Sequence, residues 1–236
     1  MKRAAARLLP LLLGLTVLPL PGRVYPQFGL ETFLGGQYRL FSLATWAGLR
    51  IPLGNTSSLI VKYRQQSIAF DYEDQDGLMH RDKPSLSMLT GVYYYQKGMI
   101  DAYVALFEMF GTNHYDAIGA DIGFACKLFR GVAAETGLYL LNEKSTLWYP
   151  DEALRRISLF VWHAGMRLAL SPKLEFNPQV HFGNNSEAVG TFAYSASLTF
   201  SPQDPIYITI TYTRYSENAE TRFSGDYFSG GINFYF

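Results

Sequence analysis

From residue 173 to residue 182 the chain alternates apolar and polar side chains: Leu174, Phe176, Pro178, Val180 and Phe182 fall on one face, and Glu175, Asn177, Gln179 and His181 on the other. Strand side chains point alternately to opposite faces, so this segment is predicted to be a strand with one oily and one wet face. The pattern returns at Phe192, Tyr194, Ala196, Leu198 and Phe200 against Thr191, Ser195, Ser197 and Thr199. It returns again at Ile206, Ile208, Ile210 and Tyr212 against Tyr207, Thr209, Thr211 and Thr213. Upstream, Ile118, Ala120, Ile122, Phe124, Cys126 and Leu128 oppose Gly119, Asp121, Gly123 and Lys127, while Phe160, Trp162, Ala164, Met166, Leu168 and Leu170 oppose His163, Gly165 and Arg167. A chain that keeps this period through most of its length is expected to be all-β.

What the oily face meets is constrained by the N-terminus and by cysteine usage. Lys2, Arg3 and Arg7 precede an uncharged, Leu-rich run from Leu8 to Leu20 that ends at Pro21 and Gly22. This has the anatomy of a secretory signal peptide. A spanning helix needs roughly 20 apolar residues, whereas this run is shorter and broken by Pro10 and Pro19. Residues 1–22 are therefore expected to be a signal, and residues 23–236 one exported domain. Cys126 is the only cysteine, so no disulfide within the chain can stabilise that domain. A closed, hydrogen-bonded barrel in a membrane supplies stability by another route. In such barrels the apolar positions face outward to lipid and the polar ones inward. Basic and acidic residues balance at 20 each with no basic block, so nucleic acid is not an expected partner.

Twelve antiparallel strands are predicted from the turn signals, approximately at 27–37, 41–53, 58–71, 84–96, 99–110, 114–128, 131–142, 154–170, 173–182, 187–200, 205–215 and 225–236. Ten result if the N-terminal pair is misread, because Gly35 and Gly36 blur the first strand. Tight turns at Gly54, Gly98, Gly131, Pro172 and residues 201–205 alternate with longer polar loops, the longest at 72–83, 143–153 and 216–224. Short turns at one end and long loops at the other is the outer-membrane arrangement, with both chain termini on the periplasmic, short-turn side.

The last strand adds information that periodicity does not. Phe228, Ile232, Phe234 and Phe236 occupy alternate positions, and the sequence stops on an aromatic residue. This resembles the C-terminal recognition strand of bacterial outer-membrane β-barrel proteins, except that Gly230 stands where a hydrophobic residue is usual. The resemblance implies a multi-pass barrel in the cell outer membrane, inserted by the barrel-assembly machinery as an assembly partner, with the last strand pairing to the first. It points to no subfamily, and no functional residue is carried over from it.

On the expected inner face lie Glu31, Arg50, Lys62, Arg64, Asp121, Lys127, Glu135, His163, Arg167, Glu175 and His181. Such charges either fill a small barrel or line a conduit for small polar solutes, with Arg50, Lys62 and Arg64 forming a basic wall. Gly119, Gly123 and Gly165 favour open space, and Trp46, Tyr93, Tyr95 and Tyr139 favour a filled interior. Arg167 and Glu175 flank one tight turn and are expected to be neighbours. The acids from Asp71 to Asp76 fail the calcium-loop register, because Tyr72 stands where the first acid belongs, so no metal or other cofactor is expected. His80, and His114 with Asp116, sit at the rim, but no nucleophile elbow or zinc-type His-Glu-x-x-His accompanies them. The expectation is a porin-like transport barrel rather than an enzyme. The alternative is a structural or host-interaction barrel, and an outer-membrane enzyme ranks below both.

Overall fold

The structure, a computed structural model, describes residues 24–36, 39–73, 77–112, 114–146, 154–184, 192–216 and 225–236, so the expected signal lies outside the described residues. The strands are β1 (Tyr25–Gly35), β2 (Leu40–Pro52), β3 (Ser57–Glu73), β4 (Met79–Asp82), β5 (Ser85–Lys97), β6 (Ile100–Gly111) and β7 (Asp116–Phe129). They continue as β8 (Val132–Ser145), β9 (Arg155–Ser171), β10 (Leu174–Gly183), β11 (Phe192–Phe200), β12 (Ile206–Tyr215) and β13 (Gly225–Tyr235). Apart from β4, which pairs only with β3, the strands pair antiparallel in chain order with β5 beside β3, and β13 pairs with β1 from Gln27–Tyr235 to Gly35–Tyr227. Twelve strands thereby close a barrel, and every strand edge in it finds a partner. That closure is what a sheet needs in lipid, where an unpaired edge has no water to bond.

The thirteenth strand corrects the expected loop at 72–83. β3 runs on to Glu73, and β4 returns alongside it with Phe70 opposite Asp82 and Asp71 opposite Arg81. Arg81 and Asp71 make an ion pair at 2.9 Å, and Gly77 takes the positive φ of 78° that the reversal requires. Asp71 is thus engaged by an arginine rather than offered to a cation, and residues 74–76 lie outside the described residues. The strand expected to begin at 114 begins at Asp116, because His114 adopts a positive φ of 53° in the turn before it. At the opposite end, Gly54, Gly98 and Gly131 all have positive φ in the connections expected to be tight.

Cross-strand pairing fixes which face each residue occupies, because directly paired residues point the same way. Ile118, Ile210, Leu106 and Leu198 stand outward and exposed, as do Phe228, Ile232 and Phe236 at the end of the chain. Phe234 is on the same outward face and stacks on Phe28 of β1, ring centres 4.7 Å apart, across the seam that closes the barrel. Cys126 lies on the same outward face as Ile122 and Phe124. Near the long-loop end, outward aromatics touch in series: Trp162 on Phe182, Phe182 on Phe192, and Tyr212 on Phe228. Aromatic girdles of this kind mark the interface between lipid tails and headgroups.

The buried apolar core sits inside the barrel, toward the long-loop end. Leu40, Ile68, Phe70, Leu86, Tyr115 and Ala117 form it, with Phe33, Met109 and Leu141 packed against them. Apart from Tyr115, which immediately precedes β7, these are inward positions of β1–β3 and β5–β8, where the alternation of strand residues continues above the polar stretch with apolar side chains on both faces. Pro84, nearly fully buried, caps this region by accepting a hydrogen bond from Ile68 N at 2.9 Å.

Candidate functional site

The polar residues of the inner face concentrate below that apolar cluster, toward the short-turn end. Asp101 of β6 is almost completely buried, and its carboxylate lies 3.7 Å from both Lys127 of β7 and Arg167 of β9. Arg167 also approaches Glu135 of β8 at 3.5 Å. Glu135 in turn accepts hydrogen bonds from Asn177 and from Gln179 of β10, the latter at 2.6 Å. Tyr103 donates to Asp121 at 3.2 Å. One network therefore joins five consecutive strands, β6 to β10, and each carboxylate in it has cationic or donor partners, which burial of charge demands.

Arg167 and Glu175 border the same cavity, as expected of neighbours, but are not directly opposed and make no ion pair. A bulge between Leu174 and Glu175 adjusts the turn, Glu175 stands opposite Ala169, and Arg167 extends instead over Ala125 and Ala133 toward Asp101 and Glu135. Asp101, Asn177, Gln179 and Tyr103 were not among the expected site residues. Only the parity of Asp101 within β6 signals it, and that signal is blurred by Glu108, an acid of opposite parity on the same strand.

The basic residues of β2 and β3 gather on another part of the wall. Arg64 pairs with Glu31 of β1 at 3.1 Å, Lys62 lies 4.2 Å above the ring of Trp46, and Arg50 donates to Ser58 at 3.3 Å. Trp46 donates its indole N–H to Asn233 at 3.1 Å. Lys62 and Arg64 thus share this part of the wall with Glu31, which offsets part of their charge, whereas Arg50 turns to Ser58 nearer the short-turn end. Between the two charged regions, β11 and β12 present a hydroxyl wall, with Ser197 bonded to Thr211 at 2.8 Å and Thr199 to Thr209 at 3.1 Å. His181 is bonded to Ser195 at 2.9 Å and meets His163 edge-on, ring centres 5.9 Å apart.

The inward glycines do not leave open space. A Cβ on Gly123 would lie 2.1 Å from the Tyr103 ring, one on Gly119 2.3 Å from the Phe107 ring, and one on Gly137 2.2 Å from His163. At Gly165 it would meet the carbonyl of Pro178 at 2.4 Å. Each of the first three glycines is covered by an aromatic ring from its cross-strand partner, so these rings lie flat on the wall instead of projecting into the lumen. Tyr93 and Tyr95 were expected inside and face outward. Tyr94 is the inward member of that run, opposite Tyr103. Three consecutive tyrosines have no polar-apolar alternation of their own, and the parity comes from Thr90, which is buried inside. Trp46 and Tyr139 are inward as expected. A test follows: Gly123→Ala should destabilise the barrel by about 1–3 kcal/mol through overpacking. Gly91→Ala, where nothing lies within 4 Å of the added carbon, should be neutral or stabilising by a few tenths to about 1 kcal/mol. Urea titration of the two variants in bilayers compares them directly, and equal effects would contradict the ring-over-glycine arrangement.

Among the described residues, two cavities of the wall network share a side chain. One of about 270 Å³ is lined by Asp121, Tyr139, His163, His181 and Tyr215. The other, about 330 Å³, is lined by Tyr94, Asp101, Glu135, His163, Arg167 and Gln179. His163 borders both, so the two lie end to end along the β6–β10 side, one toward each end of the barrel.

No protein-family model matches the sequence, and no curated protein matches it. Solved structures do match. An outer membrane channel from Pseudomonas putida F1 superposes with a TM-score of 0.69 at 8% identity, covering 93% of this chain and 97% of that one. The KdgM porin in complex with disordered oligogalacturonate gives 0.56 at 5% identity, covering 89% and 99%. The fold is that of the outer-membrane β-barrels. The translocator domain of the autotransporter NalP from Neisseria meningitidis gives 0.53 at 11% identity, covering 98% and 95%. Outer-membrane β-barrels as different as a porin and a translocator domain share this architecture, so what this barrel does rests on its interior rather than on its fold.

Proposed function

We propose that this barrel is a narrow, porin-like channel for small polar solutes in the cell outer membrane. The observation that carries the reading is the pair of cavities that share His163 and run along one wall, each lined in part by charged or hydrogen-bonding side chains. Twelve strands lie between the eight that enclose little beyond side chains and the sixteen or more that leave a wide aqueous channel, so a conduit here is narrow and sensitive to its lining. Arg50, Lys62, Arg64, Asp121, Lys127, Glu135, His163, Arg167, Glu175 and His181 line it. The β2–β3 side is basic and the β6–β10 side carries an excess of carboxylates, which sets a field across the path. The hydroxyl wall of β11 and β12 supplies donors and acceptors without charge. Phe228, Ile232, Phe234 and Phe236 serve as the assembly signal, with the barrel-assembly machinery as partner during biogenesis, and the chain carries out no catalysis.

The experiment is single-channel recording of refolded protein in planar bilayers. Small discrete steps are expected, with anion preference reduced in the Lys62→Glu, Arg64→Glu double variant and step size increased in His163→Ala, which removes the side chain between the two cavities. The apolar cluster around Leu40, Ile68 and Phe70 favours a second reading, a closed barrel with a structural or surface role. Stable insertion with neither conductance nor solute uptake into liposomes would decide for it.

A further inference from the structure

The outer surface carries a groove that the transport reading does not use. It has a volume of about 470 Å³ and lies on the lipid-facing side of β7, β8 and β9, where Ile118, Ala120, Leu140 and Phe160 provide an apolar floor. Ala120 is a small residue between the large outward side chains of Ile118 and Ile122, and the wall is indented there. Toward the long-loop end the floor gives way to polar groups: Asn142 donates to Ser158 at 3.3 Å. Asn184 closes the end of the groove, its side-chain oxygen accepting from Phe160 N at 2.8 Å.

One step further along the same outward face stand Lys144 and Arg156, directly opposite each other across β8 and β9. Like charges directly opposed across an antiparallel pair are destabilising unless something sits between them. Elsewhere on the outward rim a cation is matched: Arg214 pairs with Asp226 at 3.1 Å. Among the described residues no ion pair engages Lys144 or Arg156, although Asp116 is the register partner of Lys144. Two residues of strand, roughly 7 Å, separate this pair from Asn142 and Ser158, where the apolar band ends. That places two cations at headgroup depth above an apolar groove.

We infer that this groove binds a phosphate-bearing lipid of the outer leaflet, with an acyl chain along Ala120 and Leu140 and the phosphate held between Lys144 and Arg156. The groove matches a chain in shape and polarity, and the adjacent Lys144 and Arg156 match an anionic headgroup, as basic pockets beside membrane segments do. A planar guanidinium adds the forked donor geometry that phosphate accepts.

The test is native mass spectrometry of the full barrel, folded in phosphatidylcholine nanodiscs with diphosphoryl lipid A as the probe. Retention of one lipid A per barrel is expected. The Lys144→Ala, Arg156→Ala double variant should lower that retention at least tenfold, while Lys97→Ala with Arg130→Ala, which removes two cations at the short-turn rim, should leave it unchanged. Lipid A stripped of its phosphates should be retained as poorly by the native barrel as the intact lipid is by the double variant. Heat-dependent mobility on gels reports whether each variant has folded. Should the double variant fail to fold, Ala120→Phe, which fills the groove and keeps both cations, carries the test and is expected to show the same loss. Equal retention by native and variant barrels, indifference to the lipid phosphates, or displacement by millimolar inorganic phosphate would overturn the assignment. Conductance is read separately and is expected to be the same in all these variants.

Discussion

Arginine placed at Val180 or Ile210 is expected to destabilise the barrel by about 2–4 kcal/mol, the cost of a basic side chain on the lipid face near the bilayer midplane. Both side chains point outward, and Ile210 is 60% exposed to what would be lipid. The same substitution at the adjacent inward positions should be much milder. Thr209 and Thr211 face the hydroxyl wall, and Gln179 faces Glu135, which would accept an arginine. Urea titration in bilayers measures the difference, and equal costs on the two faces would refute the assigned parity. The comparison is sharp because a one-residue slip in register would exchange the two sets completely.

Arg167→Ala should be the most damaging change inside the barrel. It removes a side chain that reaches both Asp101 and Glu135, and among the described residues Lys127, at 3.7 Å, is the ion-pair partner that Asp101 keeps. Removing one partner of a buried ion pair costs about 3–5 kcal/mol when the other charge is left unpaired, and here Lys127 still faces Asp101. Arg167 retains 32% side-chain exposure within the lumen, which puts the expected loss near the lower end, at about 3 kcal/mol. Adding Asp101→Asn to the Arg167→Ala barrel should recover much of this by removing the stranded charge, a coupling that a double-mutant cycle measures. Arg167→Lys should fall between, since a single ammonium cannot reach two carboxylates as a guanidinium does. A double variant no more stable than Arg167→Ala alone would show that the two groups do not interact.

The alternation of residues along β10, β11 and β12 determined that these segments are strands, which face is oily, and where the turns fall. That legibility has a simple cause, because the period of two is local and is imposed on each strand separately by lipid on one side and polar contacts on the other. It is also why the inward placement of Glu31, Arg50, Lys62, Arg64, Glu135 and His181 could be read without a structure. Where both faces carry the same kind of residue the signal fails: the run Tyr93, Tyr94 and Tyr95 has no intrinsic parity, and the apolar cluster around Leu40 and Phe70 is inward although its residues look like lipid-facing ones. The extension of β3 beyond residue 71 and its pairing with β4 were hidden for a related reason, since a polar hairpin above the membrane and a polar loop have similar composition. Only the tertiary structure decided which inward groups meet. Asp101 and Arg167 are on strands separated by two others, and they come within 3.7 Å because Ala125 and Ala133 between them are small. The same holds for the glycines, whose missing side chains are replaced by rings from the neighbouring strand. A contact across a barrel depends on register, bulges and the volume of every residue between, and no local pattern in a sequence records that sum.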